Sequence, residues 1–285
     1  IMEFISTAST FSRLAAQADN GVIIKVDLIS DAGTIYLDSD VENSSSQDSL
    51  NNIGLTDGTT VRAKTLLTLE ATTGLIVPAA SGTLAAGAGI FFTDNLLGQK
   101  AGETITINAD YDGTGDGTLT VVSGKSLNSN NSDMEITVWD IDLDGTINTG
   151  SGTVDIFASK QNQTAGVGDL TLENTQLQLD GTELQRISNS GGLQFGGASV
   201  GTVFAIGVRA TESNNILGIL TLMAAGDKSQ VIFKQSRSTF RSLSAVATDG
   251  VVFKVDVTSV DGPITLDGDY NNVHDGVDAV VIQEG

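Results

Sequence analysis

The sequence predicts an all-β chain: a parallel β-helix, or β-solenoid, built from short strands and drawn out as an elongated rod. Three observations carry this expectation. The composition is rich in glycine and poor in large side chains, short apolar runs alternate with polar residues, and one long segment occurs twice.

Composition comes first. Glycine accounts for 33 of the 285 residues, aromatics for 5% and charged residues for 17%. Few bulky side chains leave little thickness for each layer, which suits narrow coils of strand better than a deep globular core. The short runs come next. Apolar residues alternate in ETITIN (Glu103 to Asn108), MEITVW (Met134 to Trp139) and ITLD (Ile264 to Asp267). A period of two, bounded by Gly, Asn, Asp and Ser, is the signature of short half-buried strands. GTLTVV from Gly117, GTINTG from Gly145 and GTVDIF from Gly152 repeat one Gly-Thr-apolar opening. The segment from Asn215 to Ala225 is the only helix-like stretch. Its likeness to Leu67-Thr-Leu-Glu-Ala predicts a strand there too, because it contains Leu220-Thr-Leu-Met-Ala.

The long repeat decides the architecture. STFSRLAAQADNGVIIKVDLISDAGTIYLD, from Ser9 to Asp38, aligns without a gap on STFRSLSAVATDGVVFKVDVTSVDGPITLD, from Ser238 to Asp267. The offset is about 229 positions and about half of some 30 pairs are identical, a level that chance does not produce. Phe4 corresponds to Phe233, and after a small length difference Gly58 corresponds to Gly285. The expected organisation is one full super-repeat over residues 1–229 and the opening of the next over 230–285, continuing the first. Smaller degenerate units recur inside it at about 20 to 25 residues, which suits the coils of a solenoid. An array of ordinary β-sandwiches is the competing architecture.

Charge and composition exclude several functions. The formal net charge is -21, from 35 acidic and 14 basic residues. A phosphate backbone needs a positive surface, so nucleic acid is not an expected partner. No apolar run approaches the roughly 20 residues of a membrane-spanning helix. With no cysteine and a single histidine, His274, neither a cysteine nucleophile nor a multi-histidine metal centre can be assembled.

Three long phrases give the chain a family likeness: ADYDGTGDGTLTVVSGKSL (Ala109 to Leu127), VWDIDLDGTINTGSGTVDI (Val138 to Ile156) and LENTQLQLDGTELQRISNSGGLQFGG (Leu172 to Gly197). The last includes Glu183, Leu184, Arg186 and Ile187 as a Glu-Leu-x-Arg-Ile phrase. In these the sequence resembles the repeat regions of giant bacterial surface proteins of the filamentous-haemagglutinin type. That resemblance implies a right-handed β-solenoid exported to the cell surface, with adhesive or structural work. The expected function is a structural segment of an extracellular fibre or filament, whose partners are further copies of the same repeat in one chain or by self-assembly. The alternatives are an adhesin module that binds glycans or neighbouring cells, and a polysaccharide-lyase or tailspike-like β-helix. Catalysis has little support, because no basic and aromatic cluster outlines a sugar cleft.

The acidic segments are the candidates for chemistry. Asp110, Asp112 and Asp116 fall in a glycine-rich turn, where alternate carboxylates can wrap a hard cation such as Ca²⁺. The bidentate glutamate of an EF-hand is missing. Asp140, Asp142 and Asp144 alternate with Ile141 and Leu143, so a strand would set all three carboxylates on one face. A solvated turn and an exposed polar face are the plain alternatives for the two groups. Asp38 and Asp40 recur as Asp267 and Asp269, a shared structural role that suggests a turn. Phe4, Phe11, Phe233, Phe240 and Phe253 are expected to stack in the core, and one of Lys25 and Lys254, which match across the copies, to pair with an adjacent acidic strand. Asn43, Asn130 and Asn162 open triplets of the glycosylation pattern.

Overall fold

The computed structural model describes residues 1–43, 50–171, 173–274 and 276–283. It is a nearly all-β chain of short strands in long parallel sheets, a parallel β-solenoid. Two compact units are present, one of residues 1–138 and 142–152, the other of residues 139–141 and 153–285.

In the first unit each coil supplies one strand to each of three sheets. The first sheet stacks Met2–Phe4, Val22–Ile24, Ile53–Leu55, Ile76–Pro78, Leu96–Leu97, Ser126–Asn128 and Thr146–Gly150. The second stacks Ser9–Phe11, Leu28–Ser30, Thr59–Ala63, Gly82–Ala86, Ile105–Asn108 and Met134–Val138. The third runs through Leu14–Gln17, Ile35–Asp38, Leu67–Glu70, Gly89–Phe92 and Thr118–Val121. Met2 lies opposite Val22, and Ile76 opposite Leu96, a step of about 20 residues per coil. The step lengthens to about 30 where a loop is inserted, as between Val22 and Ile53.

Period-two patterning explains why these runs become strands. Ile105 and Ile107 are buried, while Thr106 and Asn108, which alternate with them, are not. Register then piles like on like: Val61, Leu84, Ile107 and Ile136 form one column down the second sheet, each at most 1% exposed. Burying each such side chain contributes about 1.5–3 kcal/mol. Ile, Leu, Val and Ala fill the narrow interior almost alone, which accounts for the scarcity of aromatics. Left-handed residues turn the chain at its corners, among them Asn130 at φ 58° and Asn162 at φ 60°. Asparagine tolerates that conformation, so turn geometry explains both residues without glycosylation. Asn43, at φ 52°, behaves alike, but Ser44 and Ser45 of its triplet lie outside the described residues, as does Gly285, the counterpart of Gly58.

The second unit keeps the plan with one irregularity. Val154–Ala158, Leu193–Gly197, Leu220–Ala224, Leu243–Ala247 and Ile264–Asp267 form one sheet. Another runs Leu177–Asp180, Gln163–Gly168, Val200–Ile206, Gln230–Phe233, Val251–Phe253 and Val280–Ile282. Ser238–Phe240 pairs with Val257–Ser259 as a third face. The irregularity is Leu177–Asp180, whose Leu177 sits opposite Ala165 after only about 12 residues.

Leu220–Ala224 is a strand, as its likeness to Leu67–Glu70 requires. The helices fall elsewhere, at Gly181–Gln185 and Ala210–Ser213. The first is set by a capping box. Thr182 N and Glu183 N donate to Asp180 Oδ1 at 2.7 and 2.8 Å, and Asp180 N donates to Glu183 Oε2 at 2.9 Å. The Glu-Leu-x-Arg-Ile phrase is therefore a short helix leading into a strand, with Leu184 and Ile187 buried.

The sequence repeat is a structural repeat. Ser9–Phe11, Leu14–Gln17, Val22–Ile24, Leu28–Ser30 and Ile35–Asp38 recur as Ser238–Phe240, Leu243–Ala247, Val251–Phe253, Val257–Ser259 and Ile264–Asp267. Their stacking recurs too: Leu14 opposite Ile35 becomes Leu243 opposite Ile264, and Val22 opposite Ile53 becomes Val251 opposite Val280.

Candidate functional site

The loop from Ala109 to Gly117 joins Ile105–Asn108 to Thr118–Val121 at one corner of the first unit. Tyr111 N donates to Ala86 O of the preceding coil at 3.1 Å, and Gly113 N donates to Asp110 O at 3.1 Å, closing a tight turn. Gly113 and Gly115 take φ of 63° and 90°, which few residues other than glycine accept.

This turn brings Asp110, Asp112 and Asp116 together, with one carboxylate oxygen of each within 4.8 Å of the others. Asp110 is buried, and its Oδ2 accepts from Gly115 N at 3.1 Å. Thr114 Oγ1 sits between the other two, 3.0 Å from Asp112 Oδ1 and 2.7 Å from Asp116 Oδ1.

A cation of the chain already serves the cluster. Lys64 Nζ lies 3.0 Å from Asp112 Oδ2, reaching from the end of strand Thr59–Ala63. Gly87, on the coil between them, has no side chain where a Cβ would lie 2.9 Å from Asp112 Oδ2. The hydrogen bond from Lys64 is the main reason the Asp112 carboxyl is held below its ordinary pKa, and the reciprocal bond raises that of Lys64. The Tyr111 ring lies 5.6 Å from the Arg62 guanidinium and 5.7 Å from the Lys64 ammonium. Three converging carboxylates can ligate a hard divalent cation, which would compete with Lys64 for Asp112. Sequence reasoning missed Lys64, since its proximity depends on how the coils stack.

Asp140, Asp142 and Asp144 do not form such a group. Strand Asp140–Leu143 buries Ile141 and Leu143 and turns Asp142 outward, with Asp144 exposed just beyond it, as the alternation predicts. Asp140 is half-buried and its Oδ1 accepts from Gln178 N at 2.9 Å. Among the described residues only the Asp110 group has three converging carboxylates.

Other singled-out residues have plain structural places. The ring of Trp139 is half-buried under Lys160 Nζ at 5.6 Å, and its carbonyl accepts from Gln163 Nε2 at 2.5 Å. His274 is exposed and shares a hydrogen bond with Asp278 at 2.8 Å. Lys25 pairs with Glu3 on the neighbouring strand at 3.1 Å.

Two adjoining clefts of about 420 and 450 Å³ open on the side of the second unit and share Asp169, Gly207 and Arg209. One extends to Asp180 and Glu212, the other to Arg237. No described helix is long and apolar enough to cross a membrane. Comparison with known proteins finds no matching family model, no matching curated protein and no matching solved structure, so the function rests on these residues alone.

Proposed function

We propose that the chain is a structural segment of an extracellular repetitive fibre or filament at a bacterial cell surface, with coils stacked along one axis. In this reading it has no catalytic role, and its partners are further copies of the same repeat. The observation that carries it is the second copy: the strands of residues 230–283 reproduce those of residues 2–55, including their stacking register and their Phe–Phe contact. A unit that rebuilds the same coils along one chain is what a tandem solenoid requires, because each coil needs only its neighbours to fold. The likeness to filamentous-haemagglutinin-type surface proteins adds the cell-surface setting.

A chain carrying several copies of the unit of about 229 residues tests this reading. Electron micrographs should show a continuous filament whose length rises in proportion to copy number, with density repeating once per unit. Separate globules joined by flexible links would overturn it.

A second reading, an adhesin module for glycans, draws on the paired clefts around Arg209 and Arg237. A guanidinium can grip the carboxylate or sulfate of an acidic sugar through two hydrogen bonds. Saturable binding of an acidic glycan that Arg209→Ala abolishes would favour this reading. Absence of binding across a glycan array would leave the clefts as surface relief.

A further inference from the structure

A different corner of the first unit holds a carboxylate that neither reading uses. Asp40, just beyond strand Ile35–Asp38, is fully buried. Its Oδ2 accepts from Thr73 N at 2.8 Å and from Thr73 Oγ1 at 2.6 Å, whereas its Oδ1 has no hydrogen-bond partner among the described residues. Asn51 is 5% exposed and donates through Nδ2 to the same Thr73 hydroxyl at 2.6 Å. Its Oδ1 also lacks a partner among the described residues. A third such oxygen is Asn20 Oδ1, at the place one coil earlier that corresponds to Asn51, since Val22 lies opposite Ile53.

All three oxygens are acceptors, and one belongs to a buried carboxylate. Buried acceptors without donors are rare in folded proteins, and an uncompensated buried charge is the costliest kind. The same corner two coils later shows what compensation looks like. Asp94, 4% exposed, accepts from Ala71 N at 2.8 Å through Oδ2, and its Oδ1 receives the ammonium of Lys125. Asp40 has a matching backbone bond on one oxygen, but among the described residues no lysine or arginine reaches the other.

One element of the arrangement occurs twice, in a more exposed setting the second time. Asp38 Oδ1 accepts from Asp40 N at 3.1 Å, and Asp267 Oδ1 accepts from Asp269 N at 3.1 Å. Asp269 is half-buried, and its Oδ1, the counterpart of Asp40 Oδ1, is an inaccessible atom without a partner among the described residues. Asp278 stands where Asn51 stands, aligned through Val280 and Ile53.

We propose that Asp40 and Asn51 bind a hard divalent cation of the calcium type through Asp40 Oδ1 and Asn51 Oδ1, with water completing the shell. Carboxylate and amide oxygens are the ligands calcium takes, and no nitrogen or sulfur donor that would select a transition metal belongs to this set. A bound water could satisfy the acceptors but would leave the charge of Asp40 unbalanced. This site is separate from the Asp110 loop and stands or falls independently of the fibre reading.

Calcium binding measured by equilibrium dialysis on the intact chain tests it, with Asp40→Asn and Asp112→Asn side by side. Asp40→Asn is expected to lose one bound calcium whether or not Asp112 is also changed. Melting temperatures add a readout that a merely structural aspartate would not give. In chelator Asp40→Asn should melt at or above the unaltered chain, because an unbalanced charge has gone; in calcium the order should reverse. A variant less stable under both conditions, or unchanged stoichiometry, overturns the proposal. Should Asp40→Asn fail to fold, crystals of the unaltered chain soaked in terbium decide the matter. Anomalous density about 2.3–2.6 Å from both oxygens supports the site, and its absence at about 10 mM terbium, above typical extracellular calcium affinities, overturns it.

Discussion

Phe233 meets Phe240 edge to face, with ring centroids 6.2 Å apart and planes at 85°, and Phe4 meets Phe11 in the same way at 6.2 Å and 84°. The two pairs occupy equivalent positions in the two copies of the repeat. Their surroundings differ. Phe233 and Phe240 are fully buried, and Phe233 also stacks on Phe253 of the next coil at 4.7 Å with planes 3° apart. Phe4 and Phe11 are half-buried. One pair of rings therefore holds its geometry in two settings, which makes the edge-to-face contact a property of the repeat unit itself.

That difference in burial predicts unequal losses. Phe240→Ala should cost about 3–5 kcal/mol, the usual range for emptying a filled aromatic site. Phe11→Ala, which already has solvent beside it, should cost clearly less. Denaturant unfolding of the two variants checks this, and equal losses would mean that the burial contrast does not govern the contact.

Much of this fold was legible because strands in a thin solenoid obey a local rule. Ile264–Asp267 and Met134–Val138 emerged from alternation alone, and Leu220–Ala224 from its likeness to Leu67–Glu70. The helix Gly181–Gln185 was missed, although Asp180 and Glu183 carry a readable capping signature just ahead of buried Leu184. The convergence of Asp110, Asp112 and Asp116 follows from their spacing in one loop. The partner Lys64 could not be read in that way. Its position over Asp112 depends on coil lengths, which vary from about 20 to about 30 residues as loops enter. The surroundings of Asp40 were hidden for a related reason, since Thr73 and Asn51 come from other segments of the chain.

The pair Asp94–Lys125 offers a test of how much a corner ion pair matters. Asp94 is almost wholly buried while the Lys125 side chain is 29% exposed. Lys125→Met would strand the carboxylate and should cost about 3 kcal/mol, the low end for breaking a buried pair, because water can reach the lysine side. Adding Asp94→Asn should recover most of that loss. Thermal unfolding of the single and double variants reads both steps, and a double variant as unstable as Lys125→Met would show that the charge was not the cause.

Tyr36 makes stability depend on alkaline pH. Its hydroxyl donates to Glu70 at 2.6 Å and lies 3.3 Å from Asp38 Oδ2. Burial first, then the bond to Glu70 and the neighbouring negative charges, push its pKa well above the ordinary value of about 10. The folded chain thus holds this proton more tightly than the unfolded chain. The resulting stability is complete below about pH 10 and declines as pH rises from there toward the folded-state value. Compared with Tyr36→Phe, the unaltered chain should lose its advantage progressively above that pH. Melting temperatures across the alkaline range measure the difference, and parallel curves would contradict the assignment.

The Asp110 loop gives the sharpest test of calcium, because Lys64 sets a competition whose direction is known. If the three carboxylates take the ion, it must share Asp112 with the Lys64 ammonium 3.0 Å away. Lys64→Met removes that rival and should tighten calcium binding at the loop, whereas Asp116→Asn removes a ligand and should weaken it. Binding to the folded state alone raises stability by RT ln(1 + [Ca²⁺]/Kd), so the two variants should shift the calcium-dependent gain in melting temperature in opposite directions. Acid reports on the same contact. The Asp112 pKa is lowered chiefly by Lys64, so the pair's contribution holds above the ordinary carboxylate value and fades as pH falls through the folded one. Without calcium, Lys64→Met should make acid unfolding less sensitive to Asp112. If chelation leaves the melting temperature of both chains unchanged, the loop is an internally satisfied turn whose carboxylates are served by groups of the chain, Lys64, Thr114 and Gly115 N among them.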